Sequence, residues 1–237
     1  MSHRPEPPAP LAIVTGGGRG IGRAIAVALA ARGLDVALLG RTQEDLVAAA
    51  AEIIARSPRR RALALPCDVA SEFAVRAARD RILAEAGAPT VVVNNAGVVV
   101  RAHVEDTSEH AWDHVLDVNL KGAFLVTRAF LPSMRDRGFG RVVNISSISG
   151  TVGTARLAAY CASKWGLIGF TKALAEELRG SGLQTVVVLP GSVDTAMLHG
   201  SGFEPLMTPA DVANVVVYAA LDAPAAMNGS AIEAFGP

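Results

Sequence analysis

The sequence predicts one doubly wound α/β domain, a parallel sheet covered by helices on both faces. Three observations carry that expectation. Short apolar, valine-rich runs alternate with amphipathic segments along the whole chain, the pattern of βα units whose strands are buried on both sides. Residues with chemical character stand just after these runs, at Gly16, Asp68, Asn95, Ser147 and Pro190, where an open α/β sheet collects its ligands. No linker, repeat or low-complexity block divides 11–237, and 237 residues suit a single domain of this kind.

The elements follow in order. Leu11-Ala12-Ile13-Val14 is too short and too evenly apolar for an amphipathic helix, so 11–15 reads as a buried strand. The alanine-rich segment 20–32 is a helix, closed by Gly33. The same reasoning places strands at 34–40, 61–66, 90–94, 141–146, 183–189 and 229–234. It places helices at 42–56, 71–86, 108–136, 157–180 and 208–221. Right-handed crossovers then wind the sheet in both directions. Met1 to Pro10 is polar and proline-rich without an apolar centre. It is expected to be a disordered tail over 1–10 and not a secretory signal.

Bulk properties exclude several classes. The 22 basic residues balance 22 acidic ones, so no nucleic-acid or membrane-surface partner is expected. Hydrophobic residues make up 51% of the chain, enough for a large core, but polar residues interrupt every run before the ~18 apolar residues that a spanning helix needs. Cys67 and Cys161 cannot build a disulfide framework. His3, His103, His110, His114 and His199 show no familiar ligand spacing, so no metal site is expected. The expected location is the cytoplasm.

Two motifs carry chemistry. The first, Thr15-Gly16-Gly17-Gly18-Arg19-Gly20-Ile21-Gly22, joins the first strand to the first helix. Strand, glycine turn, helix aims a helix N-terminus at a phosphate, and the glycines let the backbone approach it closely. Arg23-Ala24 after Gly22 rules out a nucleoside-triphosphate loop, which needs Lys-Ser/Thr there. The common Gly-x-Gly-x-x-Gly spacing is also incomplete. The second motif is Tyr160-Cys161-Ala162-Ser163-Lys164. Residues four apart share a helix face, so the ammonium would stand beside the phenol. A nearby positive charge favours the phenolate, which makes Tyr160 a candidate proton donor and acceptor.

With these motifs, the chain resembles the short-chain dehydrogenase/reductase family. The family's marks stand in order: Thr15-Gly16-x-x-x-Gly20-Ile21-Gly22, Asp68-Val69, Asn94-Asn95-Ala96-Gly97, Asn119, Ser147, Tyr160-x-x-x-Lys164 and Pro190-Gly191. The similarity is greatest to 3-oxoacyl-carrier-protein reductases and related carbonyl reductases. It implies a single Rossmann-type domain binding a nicotinamide dinucleotide on Gly16, Gly18, Arg19, Gly20, Ile21 and Gly22. Asp68 and Val69 would meet the adenine, and Asn95, Ala96 and Gly97 the adenosine ribose. Pro190, Gly191, Val193 and Thr195 would cover the nicotinamide, and Tyr160 and Lys164 would also touch the cofactor. The implied catalytic group is Asn119, Ser147, Tyr160 and Lys164. Ser147 would hold the carbonyl oxygen, Tyr160 donate the proton and Lys164 bind the ribose and lower the phenol pKa. Asn119 would kink its helix and join a proton path to solvent. Ser146 and Ser149 read as local turn formers.

The family's acidic ribose-binding position falls on Gly40, and Arg41 follows it. A carboxylate would repel a 2′-phosphate, whereas a guanidinium pairs with one. Arg41 and Arg19 together favour NADP(H) over NAD(H). The substrate loop is expected at 195–208, with Met197, Leu198, Phe203 and Met207 as apolar walls. Arg135, Arg137 and Arg179 offer weak support for an acidic carrier protein as partner. The long helices carry Trp112, Val115, Phe124, Phe130, Leu157, Trp165, Leu167 and Phe170, and the resemblance implies a homotetramer, or failing that a dimer. Its second contact would use 208–234 and the C-terminal Glu233 to Pro237. Two other readings compete with an NADPH-dependent carbonyl reductase: an NAD-dependent secondary alcohol dehydrogenase, and a non-catalytic dinucleotide-binding sensor or scaffold.

Overall fold

A computed structural model describes residues 9–236. The tail expected over 1–10 lies, apart from its last two residues, outside the described residues, and so does Pro237. The core is one seven-stranded sheet, all parallel, of β1 (Leu11–Thr15), β2 (Asp35–Gly40), β3 (Ala62–Pro66), β4 (Val91–Asn94), β5 (Gly140–Ile145), β6 (Leu183–Pro190) and β7 (Ala231–Ala234). Strand order is β3-β2-β1-β4-β5-β6-β7. The chain winds outward from β1 to β3, returns to β4 on the other side of β1, and winds outward again. The switch point between β1 and β4 opens a crevice at the C-terminal strand ends.

Alternation along each strand divides the core. Ala12 and Val14 of β1 face a layer made by α1 (Gly20–Ala31), α2 (Gln43–Arg56) and α7 (Pro209–Val217). Leu11 and Ile13 face the opposite layer, with α3 (Glu72–Ala86), α5 (Gly122–Arg137) and α6 (Ala158–Glu177). Ile13, Ile25, Ile53, Ile82 and Phe130 are fully buried, and each such side chain stabilises the fold by about 1.5–3 kcal/mol relative to exposure.

Three expectations need correction. The helix expected over 108–136 is two helices, α4 (Glu109–Leu116) and α5, joined by a π-helical turn at Asp117–Lys121. The turn contains Asn119, where the resemblance placed a kink, and its cause is tertiary. The Asn119 amide bonds Val98 and Ser163, which holds the widened turn in place. The helix expected to 221 leaves α-geometry at Val217 and finishes in a second π-helical turn, Tyr218–Asp222. Of the apolar residues assigned to a subunit contact, Val115, Phe130 and Leu167 are buried in the protein's own core. Trp112, Phe124 and Trp165 stay exposed.

Candidate active site

The glycine turn is shaped by what a side chain would strike. Gly16 and Gly20 have φ of 64° and 52°, the left-handed region that glycine enters without strain. A Cβ at Gly22 would overlap the carbonyl oxygen of Gly16, and one at Gly18 would meet the Asp45 Cβ at 2.8 Å. The turn is thus drawn tight against both the first turn of α1 and the start of α2. Thr15 ties it to β4: its Oγ1 accepts from the backbone N–H of Asn95 and of Ala96, both at 3.0 Å. The Asn95 amide donates to the Thr15 carbonyl at 2.9 Å. Asn95 and Ala96 therefore brace the phosphate loop. Thr15 belonged to the motif, but nothing in its spacing marks this hub role.

These residues fit a nicotinamide dinucleotide. Arg19 precedes α1 without a side-chain cap, and no acidic residue stands in that first turn, so the helix N-terminus is left for an anion. Arg19 and Arg41 are exposed, and neither joins an ion pair among the described residues. Gly40, beside Arg41, packs against Leu46 and presents no carboxylate. Asp68 is exposed beyond β3, and its Oδ1 accepts from the Ala70 N–H at 3.0 Å. Val69 is buried, and a Cβ at Gly122 would meet it at 2.8 Å. Gly191 follows Pro190 at the end of β6, with its N–H on the Ala234 carbonyl at 2.8 Å. Val193 is buried and bridges to Met207. Thr195 lies across the crevice from the glycine turn, its methyl carbon 3.5 Å from where a Gly20 Cβ would stand.

The four expected catalytic residues converge. Tyr160 and Lys164 share a face of α6, with Nζ 5.6 Å from the centre of the phenol ring. Ser147, ahead of the short turn Ile148–Gly150, accepts from the Ser149 N–H at 3.1 Å and lies near enough to the Tyr160 side chain to favour its phenolate. Asn119 is buried rather than pointing to solvent. Its Oδ1 accepts from the Val98 N–H at 2.8 Å, and its Nδ2 donates to the Val98 carbonyl at 2.9 Å and to Ser163 Oγ at 3.0 Å. Ser163 Oγ donates in turn to the Tyr160 carbonyl at 2.7 Å, joining the π-helical turn to the catalytic helix. A Cβ at Gly97 would stand 3.4 Å from Asn119 Oδ1 and 3.7 Å from Lys164 Nζ, so Gly97 leaves the space between them open.

The electrostatics differ from the expectation at one point. Burial pushes the Tyr160 phenol above its ordinary value, while the nearby Ser147 hydroxyl and, more weakly, the Arg101 guanidinium pull it down. Lys164 is perturbed as well. Its ammonium is itself stripped of water, which lowers its pKa to about 8, and Nζ donates to the Ile145 carbonyl at 2.8 Å. A phenol held protonated suits a proton donor. Ser146 also departs from expectation. Its hydroxyl donates to the Lys164 carbonyl at 2.9 Å, fastening the end of β5 to α6, whereas Ser149 bonds locally to Ser147 and Thr154.

The rim holds two further corrections. Met207 is buried under the substrate loop and is not a wall. Met197 and Phe203 are exposed, and Leu198 is half-buried. Arg135, Arg137 and Arg179 are not at the mouth. Helices α5 and α6 run back to where β5 and β6 begin, so their C-terminal arginines lie at the end of the sheet opposite the ligand crevice. There Arg137 bonds the Ala88 carbonyl and Arg179 pairs with Glu176.

The chain belongs to the short-chain dehydrogenase/reductase family, oxidoreductases of carbonyl and alcohol groups: the short chain dehydrogenase family matches residues 10–203. It resembles the 3-oxoacyl-(acyl-carrier-protein) reductase of Synechocystis, at 36% identity over 92% of this chain and 92% of that protein. It is similar to D-threitol dehydrogenase of Mycolicibacterium smegmatis, 36% identical over 93% of this chain and 89% of that one. It is also similar to an NADPH-dependent pterin aldehyde reductase of Arabidopsis thaliana, 38% identical over 78% and 76%. The crystal structure of levodione reductase superposes with a TM-score of 0.90 at 28% identity, covering 94% of this chain and 95% of that one.

Proposed function

We propose that the protein is an NADPH-dependent carbonyl reductase in which Tyr160 is the general acid. The observation that carries this is the convergence of Ser147, Tyr160, Lys164 and Asn119 in the crevice beside an uncapped helix N-terminus. The dinucleotide supplies a hydride to the carbonyl carbon when bound. The Ser147 hydroxyl donates a hydrogen bond to the carbonyl oxygen as negative charge gathers there. Tyr160 gives that oxygen its proton, and the alcohol is complete. Lys164, at the inner end of the crevice beside Gly97 and Asn119, holds the cofactor ribose and returns a proton to the phenolate from solvent. Arg19 and Arg41, with Gly40 in place of an acid, support NADP(H). A ketone, an aldehyde or a 3-oxoacyl thioester would each satisfy the chemistry. With Arg135, Arg137 and Arg179 at the far end of the sheet, the basic patch invoked for a carrier protein is lost. The two free cysteines suit a reducing cytoplasm. The direct test is transfer of label from NADPH to a carbonyl carbon.

The reading includes a homotetramer, with a dimer as its simplest form. Trp112, Phe124 and Trp165 are 37%, 42% and 53% exposed on the paired helices, more aromatic surface than a monomer gains from leaving wet. Glu109 and Asp113 are exposed on α4, and Arg135 and Arg137 are exposed at the end of α5. Antiparallel pairing about a two-fold axis sets opposite charges together. Tyr218 and Phe235, also exposed, supply apolar area for the second contact. Light scattering at micromolar concentration is expected to give a multiple of the 24.4 kDa chain mass. A single-chain mass would refute the assembly.

A further inference from the structure

Arg101 has no part in the scheme above, yet it links the segment after β4 to the substrate loop beside the catalytic phenol. The chain leaves β4, passes Asn119 through the two Val98 bonds, and reaches Arg101. The next residue, Ala102, donates its N–H to the Arg156 carbonyl at 3.0 Å, one helical turn before Tyr160. This pins the segment above the start of α6. The Arg101 Nη2 donates to the Met197 carbonyl at 2.6 Å, so the guanidinium spans from the 97–102 segment to the substrate loop. It is close enough to Tyr160 to favour the phenolate. Arg101 is half-buried and has no carboxylate partner among the described residues. Its one bond to the Met197 carbonyl leaves donors of the guanidinium fork unused. A half-buried cation whose only hydrogen-bond partner among the described residues is a neutral carbonyl gains most from an anion, and a planar fork matches a carboxylate.

We propose that Arg101 is a specificity residue that pairs with a carboxylate on the substrate, so that oxo acids are preferred over neutral ketones of the same skeleton. This rests on the carbonyl-reductase reading and deepens it to a substrate class. Acid and loop bind opposite ends of one guanidinium, so substrate binding also fixes the Met197 side of the loop.

The test uses matched pairs, acetoacetate and 4-oxopentanoate against their methyl esters. With NADPH in excess, kcat/KM for each acid is expected to exceed that of its ester by about tenfold to a hundredfold, the range of a charge-assisted hydrogen bond. Arg101→Met should remove that ratio by lowering the acids alone, and Arg101→Lys should restore part of it. Equal rates for acid and ester in the wild type, or an equal loss for both in Arg101→Met, would overturn the proposal and leave Arg101 as a loop tether. A second arm needs no turnover. Acids and esters are titrated into the Tyr160→Phe protein with NADPH bound, following cofactor fluorescence. Tighter binding of the acids, lost on adding Arg101→Met, supports the carboxylate site even if no panel member is reduced. Equal affinities refute it even if all are reduced.

Discussion

Tyr160→Phe is expected to lower kcat for carbonyl reduction by about two to four orders of magnitude, the usual contribution of a positioned general acid. The substitution removes one oxygen from a half-buried ring and leaves the packing of α6 intact. NADPH affinity should change little, because the glycine turn, Arg19, Arg41 and Lys164 are untouched. Stopped-flow rates and a fluorescence titration separate the two effects. Because burial holds the phenol above its ordinary pKa, the group is protonated across the neutral range, and the loss should be as large at pH 6 as at pH 7. Near-normal turnover in the phenylalanine protein would remove Tyr160 from its role.

Arg41→Asp is expected to reverse the cofactor preference. The change deletes the cation proposed to pair with the 2′-phosphate and sets a carboxylate in its place. The same carboxylate offers the two ribose hydroxyls of NADH an acceptor. The ratio of kcat/KM for NADPH to that for NADH should fall by about a hundredfold or more, as expected when a charge-assisted bond is exchanged for repulsion. Arg41 is exposed at the end of β2, so the fold should be unaffected. A wild-type protein that already prefers NADH would contradict the reading of this corner and favour the NAD-dependent dehydrogenase.

The strands and the site were legible for different reasons. Leu11 to Thr15 is buried on both faces, and a strand inside a parallel sheet has no wet side to encode, so it shows as an unbroken apolar run. The candidate catalytic pair was legible because fixed spacing on one helix, Tyr160 to Lys164, survives any tertiary detail. What depends on contacts between distant segments was hidden. The π-helical turn at Asp117–Lys121 has no glycine or proline to mark it before Gly122, so the resemblance, through Asn119, pointed to a kink but not to its form, which follows from that asparagine bonding Val98 and Ser163. The lowered pKa of Lys164 follows from its burial, which spacing cannot report. The remote position of Arg135, Arg137 and Arg179, by contrast, was implicit in the topology. A crossover helix in a parallel sheet ends where the next strand begins, away from the ligand crevice.

The central claim is hydride delivery to a carbonyl at the Tyr160 site. The most direct measurement supplies NADPH deuterated at both C4 positions with a panel of ketones, aldehydes and oxo acids, and reads the products by mass spectrometry. The account predicts an alcohol carrying one deuterium on the former carbonyl carbon for each NADPH oxidised, and none from the Tyr160→Phe protein. Tight NADPH binding with no labelled alcohol from any member of the panel would contradict it and point to a dinucleotide-binding sensor or scaffold.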